Sequence, residues 1–413
     1  MTIIRQLLPT QGDVTASDIM CSAQATNKEP LRPASPEARA FCASLSQRLL
    51  NDARTLPFPA LQSLGYWLRP AMLTPMVENY LYVPTDTQRV PAGIVFQIPP
   101  GNVDTLFGYT AAIAILSGNA VIIRLPSAER PEQVLLLNLI TECLTEAEPC
   151  IQERLIIIRY DHDDDITSQL SSVCDARLVW GSDETVAHIR KIPLSPLARE
   201  VCFANRFSVM ALNARSYAAS IGRDFSTLIH CVYKDIYLFD QKACSSPRLL
   251  IWVGDKDSVT QASKDFYPRL SSHAIAHHYR PGFAENVAKL NASYLAMYDL
   301  NPVSYEVFSP ALSVITLDNM DSLSAFKRIN YGSGLLLAIQ LNSLPDLAAY
   351  AERRDQTLTH WGFKPTEIHE FMAITQGRGF DRIVPIDHAL VFDPVWDGFN
   401  LFDIMTRLVQ VLK

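Results

Sequence analysis

The chain has 413 residues, of which 48% are hydrophobic and 19% charged, enough for a large buried core in two or three domains. Its net charge of −7 does not indicate a basic face for nucleic acid. No run of 18 or more apolar residues occurs, so no membrane-spanning helix is predicted. Glycine is scarce, with 16 residues or about 4%, where about 7% is usual. Neither G-x-G-x-x-G nor G-x-x-x-x-G-K-[ST] occurs, which at first counts against a nucleotide-dependent enzyme.

The N-terminal residues and the cysteines indicate the cellular compartment. The N-terminal residues MTIIRQLLPTQGD lack the apolar core of a secretory signal. The eight cysteines include no C-x-x-C pair, so neither a disulfide framework nor a zinc site is predicted. We therefore expect a soluble, cytoplasmic protein.

The predicted elements begin after a mixed segment. Residues 1–35 are expected to form a loosely structured arm. Ser35-Pro36-Glu37 predicts a helix start, with serine as N-cap and proline in the first helical position, and the helix is expected to end near Asp52. A strand or hairpin is predicted within YLYVPTDTQRV, just before residue 92.

From residue 93 onwards, short apolar runs alternate with helical patterns, which is typical of a parallel, doubly wound sheet. The predicted strands and helices of this first region are 93–98, 105–116, 120–125, 130–146, 155–160, 165–172, 177–180, 183–191 and 208–212. A second α/β region follows, with a long helix at 216–238 and further elements at 249–253, 257–268, 312–317, 321–329, 335–341 and 344–354. One more strand near 389–392 and a helix near 399–411 complete the prediction.

Cys244 is the first candidate for a chemically active residue. It lies in FDQKACSSPRLLIW, in a predicted turn between a helix and a strand, flanked by Lys242 and Arg248. A positive, partly exposed setting lowers the pKa of a thiol and favours the nucleophilic thiolate. Other cysteines occur in apolar or helical patterns that are typical of packing, namely Cys42, Cys143, Cys202 and Cys231.

The segment IPPGNVDTLFGY (98–109) is the second candidate, because it follows a strand and opens a helix, where open α/β sheets bind ligands. Pro99 and Pro100 stiffen this turn. Gly101 permits close approach, and the amide of Asn102 is the kind of donor that an oxyanion requires. The alternative is that Asn102 simply N-caps the following helix.

Two weaker candidates lie elsewhere. Gly181 and Ser182 stand between a strand and a helix, where backbone N–H groups can hold a phosphate; the alternative is a plain capping box made by Ser182. Glu306, in YEVFSPALSVI, precedes a turn and a buried strand, a position from which an acid can hold the hydroxyls of a ribose.

Three further features are not expected to carry chemistry. His273, His277 and His278 place two imidazoles at i, i+4 but lack the glutamate of H-E-x-x-H, so no metal site is predicted. The acidic run at 161–165 is interpreted as a solvated loop. A cysteine-protease interpretation of Cys244 lacks a local motif for the histidine partner.

Taken in order, the candidate segments resemble the aldehyde dehydrogenase superfamily and, within it, the LuxC-type acyl-CoA reductases. The resemblance covers roughly residues 80–407, and the PPGN segment and the CSSP turn together are its most specific part. The segments that carry it are GIVFQIPPGNVDTLFGYTAAIAILSGNAVIIRLPS (93–127), WGSDE (180–184), DQKACSSPR (240–248), EVFSPALSVI (306–315), YGSGLLLAIQ (331–340) and RIVPIDHALVFDPVWDGFNLFDIMTR (382–407).

The resemblance implies an aldehyde dehydrogenase-like α/β fold of two doubly wound domains with a small oligomerisation arm. It implies a cofactor-binding domain at 1–212, to which 380–413 returns, and a catalytic domain at 213–379. Cys244 matches the family's thiol nucleophile. Asn102 matches the amide of its oxyanion hole, which acts with the backbone N–H of the nucleophile.

The remaining roles concern a nicotinamide dinucleotide. Arg124 matches a basic residue near the adenosine ribose. Ser127 occupies the place where an acid would repel a 2′-phosphate in strictly NAD-dependent members, so NADPH or NADH is compatible. Gly181 and Ser182 match the phosphate-contacting turn. Glu306 and Phe308 match the pair that orients the nicotinamide ribose and ring. Pro99 and Pro100 belong to the stiff turn beside the nicotinamide.

One departure from the family pattern bears on the reaction. Hydrolytic aldehyde dehydrogenases carry a glutamate base in the segment that corresponds roughly to residues 201–212, where this chain has no acid, and Glu200 lies just outside. A missing base suits a reductase that must preserve its thioester.

The resemblance therefore implies reduction of an acyl-CoA or other acyl thioester, of fatty type, to the aldehyde by NAD(P)H through an acyl-cysteine. The alternatives are an aldehyde-oxidising dehydrogenase or acyl-phosphate reductase of the same fold, and a non-catalytic acyl-binding subunit. The family also implies an acyl-activating partner enzyme and a homodimer or larger homo-oligomer. On this interpretation the missing glycine loops exclude the fingerprinted dinucleotide fold but not the use of a dinucleotide.

Overall fold

The computed structural model describes residues 3–81, 83, 86–222, 225–321, 323–329 and 331–411. The chain divides into two compact units, the first comprising Met1–Ala204 and Phe392–Lys413, the second Asn205–Val391. Each is built on its own seven-stranded sheet.

The first unit contains β1 Ile4–Leu8, β2 Gly12–Val14, β3 Thr87–Pro91, β4 Ile94–Ile98, β5 Ala120–Leu125, β6 Leu155–Arg159, β7 Ala176–Trp180 and β8 Arg199–Phe203. Its sheet has the order β2-β1-β6-β5-β4-β7-β8. The five strands from β6 to β8 are parallel, whereas β1 is antiparallel to β6 and to β2. The sheet is therefore mixed at one edge and parallel in its centre.

Helices cover this sheet. They are α1 Ala16–Asn27, α2 Pro36–Asn51, α3 Pro59–Trp67, α4 Pro70–Leu81, α5 Leu106–Leu116, α6 Pro131–Glu146, α7 Pro149–Gln152, α8 Asp164–Val173 and α9 Asp183–Ile189, with a 3-10 turn at Ala53–Thr55. Every residue of α5 is buried, as expected of a helix that is apolar all round. On β4, Val95 packs into the core on one face of the sheet and Phe96 into the core on the other, so both faces are covered.

The second unit contains β9 Phe207–Asn213, β10 Leu249–Val253, β11 Ser304–Ser309, β12 Leu312–Thr316, β13 Leu335–Leu341, β14 Asp355–Trp361 and β15 Arg382–Pro385. The order of the sheet is β11-β12-β13-β10-β9-β14-β15, and only the edge strand β11 is antiparallel to its neighbour within this described sheet. The helices are α10 Ala214–Ala218, α11 Ser226–Tyr237, α12 Lys256–Ala276, α13 Phe283–Asp299, α14 Leu323–Phe326 and α15 Pro365–Thr375, with a 3-10 helix at Leu344–Tyr350.

The C-terminal segment belongs to the first unit. It forms β16 Val395–Trp396, β17 Phe399–Asn400, α16 Leu401–Ile404 and β18 Thr406–Gln410. Strand β18 pairs antiparallel with β3 in a separate two-stranded ribbon, from Thr406 opposite Pro91 to Gln410 opposite Thr87. None of the helices in the described residues is both long and apolar enough to cross a membrane.

The predicted fold class, two doubly wound α/β domains, is confirmed. The predicted helix after Ser35 is also confirmed: Ser35 Oγ accepts a hydrogen bond from the Ala38 N–H at 3.3 Å, and Pro36 opens α2. The strand or hairpin signal before residue 92 is realised as β3, although residues 82, 84 and 85 of that segment lie outside the described residues.

The prediction of a loose N-terminal arm is wrong. Strand β1 pairs with β6, about 150 positions later in the chain, and buries Ile4, Leu7 and Leu8. Helix α1 follows, closed by a capping box between Thr15 and Asp18. A five-residue strand that depends on a distant partner has too little local periodicity to stand out.

Three boundaries also differ from prediction. Residues 208–212 were assigned to the first sheet, but β9 lies inside the second, and the preceding β8 forms the edge of the first. The long helix predicted at 216–238 is two helices, interrupted near Gly222, whose φ of +96° favours glycine. No strand forms at 389–392, and the preceding strand β15 ends at Pro385. Of the helix predicted near 399–411, only the short α16 forms, and the ribbon strand β18 follows it.

Candidate active site

Cys244 lies in a turn at the amino-terminal edge of the second sheet, five residues before β10, and is half-buried. Two neighbouring strands hold it. From β9, Ser208 Oγ donates a hydrogen bond to the Cys244 carbonyl at 2.7 Å. From β14, Gln356 Nε2 donates to Cys244 Sγ at 3.3 Å. The sheet therefore fixes both the backbone and the sulfur of this residue.

The turn is shaped by the two residues that open it. Asp240 and Gln241 both have left-handed backbone conformations, with φ of 53° and 55°. The buried Gln241 side chain donates to the carbonyls of Pro247 and Leu335 and accepts from the Gly334 N–H. Gln241 thus ties both ends of the Cys244 turn to the start of β13.

The YGSG segment packs directly against this turn. A Cβ on Gly332 would lie 2.7 Å from the Asp240 carbonyl oxygen, and a Cβ on Gly334 would lie 1.7 Å from that of Ala311. Gly334 also has a φ of +78°. The Ser333 N–H donates to the Asp240 carbonyl at 3.3 Å. Two of the segments on which the family resemblance depends are therefore in contact, and glycine is needed where they meet.

The two cations that flank Cys244 in sequence behave differently. Lys242 forms ion pairs with Asp240 at 3.0 Å and Glu285 at 3.2 Å. Arg248 is only 6% exposed and lies 5.7 Å above the Tyr331 ring. Burial lowers the pKa of Arg248, and the attraction of Tyr331 and Cys244 opposes that change. Arg248 is thus a buried cation that interacts electrostatically with the Cys244 thiol.

Burial raises the pKa of cysteines that were assigned to packing. Cys42 and Cys143 are buried, and burial raises the pKa of Cys42 to about 12. Cys202 and Cys231 are half-buried; burial raises the pKa of Cys202 to about 11 and also raises the pKa of Cys231. These shifts oppose thiolate formation at all three positions.

Glu306 and Phe308 lie on the antiparallel edge strand β11 of the second unit. Glu306 is exposed, whereas Phe308 is half-buried and packs 5.3 Å from the Tyr267 ring. The Ser304 hydroxyl is 3.5 Å from the Glu306 carboxylate. The acid is thus presented on the surface of its unit, next to an aromatic ring that packing holds in place.

In the first unit, the PPGN turn follows β4. Pro99 is buried, whereas Gly101 and Asn102 are exposed. Helix α5 begins at Leu106 with Thr105 as its N-cap, and the Thr105 side chain makes no cap hydrogen bond. Thr105, and not Asn102, therefore occupies the N-cap position of α5.

Arg124 and Ser127 lie at the carboxyl end of β5. Arg124 Nη2 donates to the Tyr160 carbonyl at 3.4 Å, and its guanidinium lies 4.5 Å above the Tyr160 ring. Its buried Nε has no hydrogen-bond partner among the described residues. Ser127 Oγ donates to the carboxylate of Asp161 at 2.8 Å. The acidic run 161–165, predicted as a solvated loop, thus places one carboxylate directly on Ser127, whereas its last three residues cap and begin α8.

Gly181 and Ser182 follow β7. The Thr185 N–H donates to Ser182 Oγ at 3.2 Å, which is the plain cap that the sequence left as an alternative. A Cβ on Gly181 would lie 2.8 Å from Thr185, so close packing requires glycine. Because β5, β4 and β7 are adjacent and parallel, their carboxyl ends bring Ser127, the PPGN turn and Gly181 to one edge of the first sheet.

Glu200, the acid nearest the family's base segment, is held in an ion pair. Its carboxylate accepts from Arg177 Nε at 2.8 Å and Nη2 at 2.5 Å, and Arg190 lies 3.4 Å away. Arg177 is itself buried and also donates to the Ile189 and Ile192 carbonyls. Glu200 on β8 thus neutralises a buried arginine on the neighbouring strand β7.

Sequence reasoning missed three residues of these sites. Gln356 lies 112 positions from Cys244, and Ser208 lies 36 positions away, so no local pattern connects either with the thiol. Asp161 was recognised only as part of an acidic run. Gln356 and Ser208 could have been identified if the pairing of β14 and β10 with β9 had been predicted.

The comparisons with known proteins agree with this architecture. The family model of the acyl-CoA reductase LuxC matches residues 75–295. Similar solved structures include an NAD-dependent benzaldehyde dehydrogenase from Corynebacterium glutamicum, 14% identical, with a TM-score of 0.66 and coverage of 99% of this chain and 95% of that one. Aldehyde dehydrogenase 21 from Physcomitrella patens is 10% identical, with a TM-score of 0.69 and coverage of 97% and 91%.

A third similar structure is the indole-3-acetaldehyde dehydrogenase of P. syringae, 13% identical, with a TM-score of 0.66 and coverage of 98% and 91%. No curated protein matches the chain in sequence. Identities this low establish the shared fold alone, whereas the family match covers more than half of the chain. The chain therefore belongs to the LuxC acyl-CoA reductase family, a family of aldehyde-forming, nicotinamide-dependent oxidoreductases with the aldehyde dehydrogenase fold.

Proposed function

We propose that this protein reduces an acyl-CoA or other acyl thioester, of fatty type, to the aldehyde by forming an acyl-cysteine on Cys244. The observation that carries the proposal is the setting of the sulfur. Gln356 donates a hydrogen bond to it at 3.3 Å, and the buried cation of Arg248 acts on it electrostatically. A donor and a cation both favour the thiolate, which is the nucleophilic form.

In the first chemical step, the Cys244 thiolate attacks the thioester carbonyl, and the carbonyl electrons move onto oxygen. The family resemblance alone assigns Asn102 and the Cys244 N–H to that oxyanion; one such donor is typically worth about 3–4 kcal/mol. Collapse expels the CoA thiolate, which takes up a proton, and leaves the acyl group on sulfur. One difficult displacement is thereby divided into two easier ones.

A bound nicotinamide cofactor supplies the hydride for the second half of the reaction. Cys244 retains the acyl group until its carbonyl is reduced, and then departs as thiolate when the aldehyde forms. Overall, acyl-CoA, NAD(P)H and one proton become aldehyde, free CoA thiol and NAD(P)⁺. The carboxylate of Glu200 is occupied by Arg177, and residues 201–212 contain no acid, so this region offers no base to activate water against the thioester.

Residues of the first unit fit a nicotinamide dinucleotide. Gly101 has neither a left-handed conformation nor a close neighbour, because a Cβ there would make only ordinary contact with Pro126 at 3.8 Å. The exposed Gly101 leaves room for a ligand beside this turn. The unpartnered Nε of buried Arg124 is a donor at the same sheet edge. Gly181 and Ser182 would contact the phosphates, and Glu306 and Phe308 the nicotinamide half; those assignments stay predictions.

We further propose that the cofactor is NADH in preference to NADPH. Ser127 was compatible with a 2′-phosphate on sequence grounds, but its hydroxyl donates to the Asp161 carboxylate at 2.8 Å. A negative charge at that point repels a 2′-phosphate, as the acid does in strictly NAD-dependent members.

The test is NADH consumption by the purified protein with a panel of acyl-CoAs from short to long. Acyl phosphates and aldehydes with NAD⁺ are the competing substrates. Cys244→Ala is expected to abolish thioester-dependent consumption, whereas Cys231→Ala, a half-buried cysteine of the same unit, should retain it. Undiminished activity in Cys244→Ala, or activity with acyl phosphate alone, would refute the proposal.

A further inference from the structure

Three imidazoles from two helices meet on the surface of the second unit. His230 lies on α11, His273 in the last turn of α12, and His277 immediately after it. The sequence suggested only the i, i+4 pair on α12, because His230 is 43 positions away from His273. Within the described residues, this is the one cluster of three or more histidines, cysteines or acids whose ligand atoms come together.

The distances match a metal site. One ring nitrogen from each histidine lies within 4.8 Å of the other two, and His230 Nδ1 is 3.2 Å from His273 Nε2. Zinc binds imidazole nitrogen at about 2.0–2.1 Å in tetrahedral geometry, which places two ligand nitrogens about 3.3 Å apart. The observed pair therefore already has the spacing of one tetrahedral edge.

The surroundings of the cluster favour a bound cation. The rings of His230, His273 and His277 are 4.3–5.5 Å apart between centroids, and Tyr233 packs 5.0 Å from His277. The carboxyl end of α12 also carries the negative pole of its helix dipole.

We propose that His230, His273 and His277 bind one divalent transition-metal ion of the zinc class, with the fourth position open to water. One imidazole now donates its N–H to the other across the 3.2 Å contact. When the ion takes the place of that proton, the donor ring changes to its other tautomer, with the proton on the ring nitrogen that faces away from the ion. The metal would join α11 to α12, and α11 leads into the turn that carries Cys244. This site is independent of the proposed reaction.

The experiment titrates Co²⁺ into protein freed of metal by a chelator, because tetrahedral Co²⁺ with nitrogen ligands absorbs visibly. We expect saturation at one equivalent, displacement by Zn²⁺, and a higher melting temperature in the presence of Zn²⁺. His230→Gln and His277→Gln change exposed side chains, so they are expected to fold, and each should weaken binding at least tenfold. His273→Gln should do the same.

The matched control is His278→Asn, the next histidine along the chain. His278 is exposed, lies outside the cluster and has a φ of 58°, which asparagine tolerates. This variant should bind Co²⁺ as the wild type does. Failure of the wild type to bind one equivalent, or equal binding by His230→Gln and the wild type, would overturn the proposal.

Discussion

Gln356 offers the sharpest perturbation of the proposed nucleophile. It is 3% exposed on β14, and its Nε2 donates to Cys244 Sγ at 3.3 Å. A hydrogen bond to a charged group is worth about 1.5–3 kcal/mol. Gln356→Met keeps the volume of the side chain and removes the donor. At about 1.4 kcal/mol per factor of ten, the thiolate fraction at fixed pH should fall about 10- to 150-fold.

The rate of alkylation falls by less than the thiolate fraction, because a more basic thiolate is intrinsically more nucleophilic, with a Brønsted coefficient of about 0.4–0.5. About half to three-fifths of the logarithmic effect remains, so alkylation of Cys244 by iodoacetamide at neutral pH should slow about 3- to 20-fold. Peptide mass spectrometry over a time course measures the rate at Cys244 itself and separates it from the other cysteines.

The control is Thr359→Val on the same strand. Thr359 is buried, and its hydroxyl has no hydrogen-bond partner in the described part of the chain, so its removal should leave Cys244 alkylation unchanged. Equal rates for Gln356→Met and the wild type, or equal slowing in both variants, would refute the assigned role of the Gln356 amide.

Three further predictions concern charge. Lys327 and Asp355 form a buried ion pair at 2.9 Å, so Lys327→Met should lower the free energy of unfolding by about 3–5 kcal/mol, and adding Asp355→Asn should recover part of it; equal losses would contradict this. Asp161→Asn should raise kcat/KM for NADPH relative to NADH about tenfold or more, measured by steady-state kinetics, since a charge beside the 2′-phosphate is removed; an unchanged ratio would argue against the NADH proposal. Burial raises the pKa of Asp235 from 3.8 to about 7 in the folded state. Between these two pH values Asp235 is therefore protonated in the folded state and ionised in the unfolded state. Urea unfolding should therefore show the wild type gaining stability relative to Asp235→Asn as pH falls from 7.5 to about 5, and a constant difference would contradict the shift.

The centre of each sheet could be predicted because its strands and helices are marked locally. Strands such as β4 and β5 are short apolar runs that are buried throughout, and α5 is apolar on every side. The Ser35 cap and Pro36 mark the start of α2 just as directly. Because both faces of a parallel sheet are buried, each of its strands is a continuous apolar run that can be recognised from its own residues.

Strands at the edges were not predicted, because they pair with segments that lie far away in the sequence. β18 follows a helix-like pattern but pairs with β3, more than 300 positions earlier, and β1 pairs with β6. The Cys244 turn was identified from its own residues, whereas Gln356 and Ser208 reach it only through sheet pairing. Distance in the sequence is also the reason that His230 could not be grouped with His273 and His277 before the structure was known.

The central claim is that Cys244 carries the acyl group. It is tested most directly by incubating the protein with a fatty acyl-CoA in the absence of nicotinamide cofactor, followed by peptide mass mapping at neutral pH. The proposal predicts one acyl adduct on Cys244, lost with release of aldehyde when NADH is added. An adduct on a different residue, or no adduct while aldehyde still forms in Cys244→Ala, would contradict it.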